Sequence, residues 1–211
     1  MAIVLDTKTD PGATVGSWSH TCSGSDRLLV LIFTVNDSEG GISGATYAGA
    51  ALTRGITFAG GTDLDGVEIW YKIAPATGSN TLAISGLPVS SDYHAYSASF
   101  TGVQQTSPLD DSDSASGNSA TPSVTSTPTT DGQLIIGGLS SETNNAPSTG
   151  AGETTGFNSD NGAWASSFEY AIQTSKVAQA INWGITSDLW GCAAVSFKAS
   201  SNTGNFFYFL Y

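Results

Sequence analysis

The chain has 211 residues, 39% of them apolar and only 11% charged, with a formal net charge of -12. Six Lys and Arg, scattered from Lys8 to Lys198, cannot neutralise the run of phosphates on which nucleic-acid affinity is built, so no nucleic-acid partner is expected. With 30 Ser, 25 Thr and 25 Gly the composition excludes a helix bundle, while 9 Phe, 7 Tyr and 5 Trp supply enough apolar surface to exclude disorder.

Strand-period alternation and turn punctuation recur along the whole chain. Strands are predicted over Ile3 to Asp6, Thr14 to Thr21, Arg27 to Val35, Ile42 to Tyr47, Ala51 to Thr57, Val67 to Ile73, Asn80 to Ser85 and Tyr93 to Thr101. In the second half they follow over Ser123 to Thr127, Gln133 to Leu139, Ala163 to Ala171, Val177 to Trp183 and Leu189 to Ala199. Turn clusters such as Asp37 to Gly41 and Asn158 to Gly162 separate them.

The run Leu28-Leu29-Val30-Leu31-Ile32-Phe33 is apolar at every position. It reads as a central strand covered on both sides, or covered by a neighbouring chain. It is far too short to cross a bilayer as a helix, so no membrane span is expected. Tyr93 to Thr101 instead alternates, with Tyr93, Ala95, Ser97, Ser99 and Thr101 on one side and His94, Tyr96, Ala98 and Phe100 on the other, the pattern of a strand with one buried face.

The two halves echo each other. Asp26 to Val30 resembles Asp131 to Ile136, Glu68 to Tyr71 has a counterpart in Phe168 to Tyr170, Thr81 to Ile84 in Ala178 to Ile181, and Ala98 to Thr101 in Val195 to Lys198. Four patterns kept in one order imply a pseudo-duplicated strand arrangement. The expectation is all-β: a jelly-roll-like antiparallel β-sandwich over residues 1–199, with halves of about 24–102 and 131–199 joined by a long loop, 103–130. One sandwich, each half feeding strands into both sheets, is favoured over two separate small ones.

Residues able to do chemistry are sparse. His20 and His94 stand in neither H-E-x-x-H nor H-x-H, and no G-x-S-x-G nucleophile motif occurs. Both histidines read as strand residues making one hydrogen bond, and no catalytic residue is assigned. Gly150 to Gly156 superficially resembles a dinucleotide loop, but its third glycine is one position late and no helix-forming segment follows. No cofactor is expected. The acidic or amide-rich turns at Asp63 and Asp65, Asp110 to Asp113 and Asn158 to Asn161 offer calcium-type oxygens without EF-hand spacing and read as solvated turns. Cys22 and Cys192 have neither metal-ligand nor C-x-x-C spacing and read as free, packed thiols. Trp18, Trp70, Trp164, Trp183 and Trp190 have two readings, as core residues between sheets or as a carbohydrate-stacking platform.

The carboxyl end is the most unusual local feature. A short spacer, Ser200 to Asn205, precedes Phe206, Phe207, Tyr208, Phe209, Leu210 and Tyr211. Three rings each losing about 150 Å² to a partner at about 25 cal/mol/Å² would gain roughly 11 kcal/mol before association costs. Residues 200–211 therefore read as a docking tail for a neighbouring subunit, with folding back onto its own sandwich as the alternative.

The segments Gly24 to Val30, Ala45 to Thr53, Glu68 to Tyr71, Pro75 to Thr81 and Phe100 to Val103 resemble a loosely defined group of Gly/Ser/Thr-rich β-sandwich proteins of bacteriophage virions and bacterial surfaces. No basic residue precedes the apolar Met1 to Leu5 and Asp6 follows it, so no secretory signal is expected, which favours the virion side of that group. The resemblance implies a non-enzymatic virion structural protein, assembled in the host cytoplasm as a homo-oligomer or multicopy capsid-decoration or minor capsid subunit whose partners are other virion proteins. A carbohydrate-binding adsorption or tail-fibre module is the alternative.

Overall fold

A computed structural model describes residues 1–36, 41–58, 66–88 and 92–201. Aromatic residues Phe206 to Tyr211 and the calcium candidates Asp63 and Asp65 lie outside the described residues, as does most of the Asp37 to Gly41 cluster. The first half contributes β1 (Val4–Thr9), β2 (Ser17–Cys22), β3 (Leu28–Val35), β4 (Gly44–Tyr47), β5 (Ala50–Ala51), β6 (Thr53–Phe58), β7 (Gly66–Ile73), β8 (Gly78–Ser85) and β9 (Tyr93–Thr101). The second contributes β10 (Leu109–Ser119), β11 (Ser123–Ser126), β12 (Gln133–Ser141), β13 (Ser148–Thr149), β14 (Thr154–Asp160), β15 (Ala165–Gln173), β16 (Gln179–Gly184) and β17 (Asp188–Lys198).

The strands form antiparallel sheets in the order β1-β9-β3-β7-β6 and β2-β8-β4-β5 from the first half, and β10-β17-β12-β15-β14 and β11-β16-β13 from the second. Along each half the chain passes back and forth between a five-stranded and a smaller sheet, which is jelly-roll connectivity traced twice. The four echoes in the sequence fall on equivalent strands: β3 with β12, β7 with β15, β8 with β16, and β9 with β17. Leu28 is paired with Ile73 and Phe100, and Leu134 with Ile172 and Phe197, in the same places of the two ladders.

The partition between sheets differs from the expectation of one shared sandwich, because each half closes its own pair. The two five-stranded sheets then pack face to face. Leu28, Val30, Ile32, Ile69, Tyr96 and Phe100 meet Leu134, Ile136, Phe168, Tyr170, Val195 and Phe197 in a central core. Outside it, Leu29, Leu31, Phe33, Trp70 and Tyr93 face the four-stranded sheet, and Ile135, Leu139 and Trp190 meet Val124, Ile181 and Trp183 of the three-stranded one. Period-2 alternation thus sends every second residue of β3 into a different core, which is why the strand is apolar throughout.

β9 also corrects its one-faced reading. Both of its faces are buried, and the small face works because Ser97 and Ser99 are hydrogen-bonded under the covering sheet. The stretch 103–130, read as a loop with one edge strand, carries the eleven-residue β10 as well, paired along its length with β17. Cys22 and Cys192 are free and buried, and they lie in the two different outer cores. Among the described residues no helix is long and apolar enough to cross a membrane.

Candidate functional site

Both histidines are drawn inside. His94, 3% exposed, places Nε2 2.7 Å from Asp10 Oδ1 and Nδ1 3.0 Å from Asn161 Oδ1. Asn161 donates from Nδ2 to Ser166 Oγ at 2.9 Å, and Tyr96 closes the network at 2.7 Å from the same hydroxyl. Burial tends to raise Asp10, but the His94 hydrogen bond, the Gly12 amide and the His94 charge hold its carboxyl below the usual range. The imidazole contact that an activated serine requires is made here by an amide oxygen. The cluster bridges Asp10, His94 and Tyr96 of the first half to Asn161 and Ser166 of the second, tying the halves together beside their shared core.

His20, 1% exposed, meets Thr9 Oγ1 and Ser97 Oγ through Nδ1, each at 3.0 Å, and its Nε2 is buried without a partner. Asp6 spends its oxygens on Ser23 and Ser99. Burial lowers the His20 pKa to about 4 against the opposing pull of Asp6, so the ring is neutral near pH 7. As pH falls from 6.5 toward 4 the unfolded chain takes up a proton that the folded chain refuses. The stability contributed by the neutral ring, fully present above 6.5, is therefore lost over that window. Comparing urea unfolding of the native chain with His20→Gln should show their stability difference shifting by about 3 kcal/mol against the native chain between pH 7 and 4. A pH-independent difference would rule out this account of the ring.

The tryptophans are also spoken for. Trp70, Trp164, Trp183 and Trp190 are only 7, 3, 2 and 7% exposed. The indole N–H groups of Trp70, Trp183 and Trp190 donate to Glu68, Ser167 and Ser119. Trp18 is half-buried and donates to Ser97 Oγ at 2.9 Å. Of the two readings of these five residues, a stacking platform needs open ring faces, and four of the rings are buried, as the core reading requires. The oxygens of Asp110 and Asp111 serve Thr129, Gln133, Ser126, Thr127 and Lys198, and Asn158 lies within β14, so neither stretch is the open turn that the sequence suggested.

An opening exists where Met1 to Ile3 meet the strand ends at Gly132, Ile172 and Ala199. Met1, Ala2, Ile3, Gly132, Ile172, Gln173, Thr174 and Ala199 line a pocket of about 200 Å³. The Met1 amino group donates to Ser200 O at 2.8 Å, and Ala199 N donates to Gly132 O at 2.8 Å, so the amino-terminal arm of the first half lies across strand ends of the second. Ile172 continues the side of β15 that carries Phe168 and Tyr170 into the central core, but at 44% exposure it emerges beyond the cover. Met1 and Ile172 are two of the four exposed large apolar residues among those described. A dry cavity of about 150 Å³ holds a benzene ring, so this one has room for an aromatic side chain. Beside it, Asp26, Gln104, Gln105, Thr106, Ser200 and Ser201 line a polar groove of about 370 Å³.

No protein-family model matches the chain, and no curated protein matches it. Among solved structures, the major capsid protein P2 from bacteriophage PM2 is similar at a TM-score of 0.28 and 9% identity, with 96% of this chain and 99% of that chain covered. That likeness is too distant to assign a function.

Proposed function

We propose that the chain is a non-enzymatic structural subunit of a bacteriophage virion, a capsid-decorating or minor capsid protein that joins to neighbouring copies through its aromatic carboxyl end. The observation that carries this reading is the apolar pocket walled by Ala199, two residues before the last described position, from which the chain runs on to Phe206 through Tyr211. The pocket takes one ring, whereas the tail offers five, so the remaining rings lose water only against a second surface. The five residues Ser201 to Asn205 reach at most about 18 Å when extended, enough to step to an adjoining copy. A tail from one copy in the pocket of the next is a heterologous contact, which generates rings or continuing arrays. That repetition suits a shell. The virion setting comes from the resemblance to phage β-sandwich proteins carried by the glycine-punctuated strands.

Quantitative mass spectrometry of purified particles, with the full chain and with residues 206–211 deleted, tests the proposal. The full chain should co-purify at a fixed ratio to the shell protein, and the shortened chain should be lost from particles while keeping its thermal midpoint. Unchanged occupancy of the shortened chain would refute the docking role, and absence of the full chain would refute the virion role.

A further inference from the structure

The outer cores of the two halves treat their buried acids differently. In the first half Glu68, 3% exposed, accepts from Trp70 Nε1 at 2.7 Å and has the Arg54 guanidinium 3.8 Å away. That half supplies its own cation. In the second half Glu169 takes the ladder place equivalent to Trp70, and the residue opposite it, where Arg54 stands in the first half, is Thr155. Glu169 is 0% exposed, and its carboxyl oxygens, although donors stand near them, make no hydrogen bond of good geometry. Its neighbours are Thr149, the Gly150 amide, Ser167 and a second acid, Glu153, whose own Oε2 is also buried and unpartnered. A Cβ added at Gly150 would stand 2.8 Å from that Oε2, so the 150–153 turn closes over the pair. Glu153 Oε1 accepts from Asn182 Nδ2 at 3.1 Å, which fixes the second acid in place.

Three buried carboxyl oxygens from two neighbouring acids, with no basic side chain beside them to pair with, are costly in the ionised form, and burial pushes the Glu169 carboxyl up toward its neutral form unless a cation joins the pair. We propose that Glu169 and Glu153 bind a divalent cation of the calcium class, with the Thr149 hydroxyl as a neutral oxygen donor. Hard oxygen donors from two carboxyl groups suit that ion, which takes carboxylates, neutral oxygens and water in a flexible shell and displaces the Glu169 proton to solvent as it binds. Entry is short, because Ala151 and Gly152 of the covering turn are exposed. Bound there, the ion pins the 150–153 turn and β14 to the three-stranded sheet, making the outer layer of the second half ion-dependent.

The test uses the full chain stripped with EGTA, at constant ionic strength, titrated with calcium chloride while thermal unfolding is followed. A hundredfold excess over Kd should raise the midpoint by about 5 to 10 °C. The shift should vanish in Glu169→Gln and shrink in Glu153→Gln. Terbium luminescence gives a second reading that does not depend on unfolding: Trp183, paired with Thr149 across β13 and β16, should sensitise it in the native chain and not in Glu169→Gln. Absence of any calcium shift in the native chain would overturn the site. So would an equal shift in Glu169→Gln, which would mean diffuse binding to an acidic surface, or a Glu169→Gln chain that folds normally and keeps the terbium signal.

Discussion

Substituting Gly138 with leucine is expected to separate the two five-stranded sheets. Gly138 sits in the middle of β12 and faces the central core, where an added Cβ would stand 2.8 Å from both Ile32 Cγ2 and Val67 Cγ1 of the opposing sheet. Those atoms belong to the interiors of β3 and β7, each hydrogen-bonded to strands on both sides, so neither has room to retreat. Close-packed interiors transmit such an insertion as backbone displacement. We expect Gly138→Leu to lose about 3 kcal/mol or more by urea unfolding, with Gly138→Ala losing less. Because Gly137, its neighbour, faces Ile181 and Trp183 in the outer core, Gly137→Ala should disturb the second half alone. Equal stability of Gly138→Leu and the native chain would mean that the halves do not pack through this face.

The opposite operation, removing volume from the same core, should cost at least as much. Phe168 is fully buried between the halves, with Tyr170 and Phe157 rings 6.1 and 6.5 Å away. Its ring occupies the space beside Gly156 at the irregularity between Thr155 and Phe157, where any side chain would collide with it. Phe168→Ala therefore leaves a hole lined by two sheets and should destabilise by about 3–5 kcal/mol. Hydrogen exchange should show the loss in both halves together, because the core they share is one. Loss confined to the second half would contradict the four-layer packing.

Much of this architecture was legible in the sequence, and the exceptions have physical causes. Leu28 to Phe33 announced a strand covered twice, and the repeated patterns identified the equivalent strands. What covered β3 was not legible, since an unbroken apolar run says that two faces are buried without saying against what. β10 escaped because Asp110 to Ser119 is polar and small throughout; an edge strand held by its ladder to β17 needs no hydrophobic period. β14 escaped because Gly156 and Asn158 read as turn residues, whereas Gly156 is required by the Phe168 ring and Asn158 Oδ1 accepts from Ser167. The polar clusters were invisible for another reason. Asp10 and Asn161 lie 84 and 67 residues from His94, and Glu153 and Glu169 become neighbours only through the pairing of β14 with β15. The exposed tip at Ile172 left one trace, an apolar residue continuing a core-facing alternation past the point where the core ends.

The central claim is that one copy's aromatic tail occupies another copy's end pocket, and disulfide trapping between copies tests it most directly. Two chains are mixed, one carrying Ile172→Cys and the other, tagged to differ in mass, carrying Phe207→Cys; native Cys22 and Cys192 are fully buried and stay out of the reaction. Mild oxidation should link the tagged chain to the untagged one. No such link in the mixture, while a single chain bearing both substitutions closes on itself, would place the tail in its own pocket and contradict assembly through it.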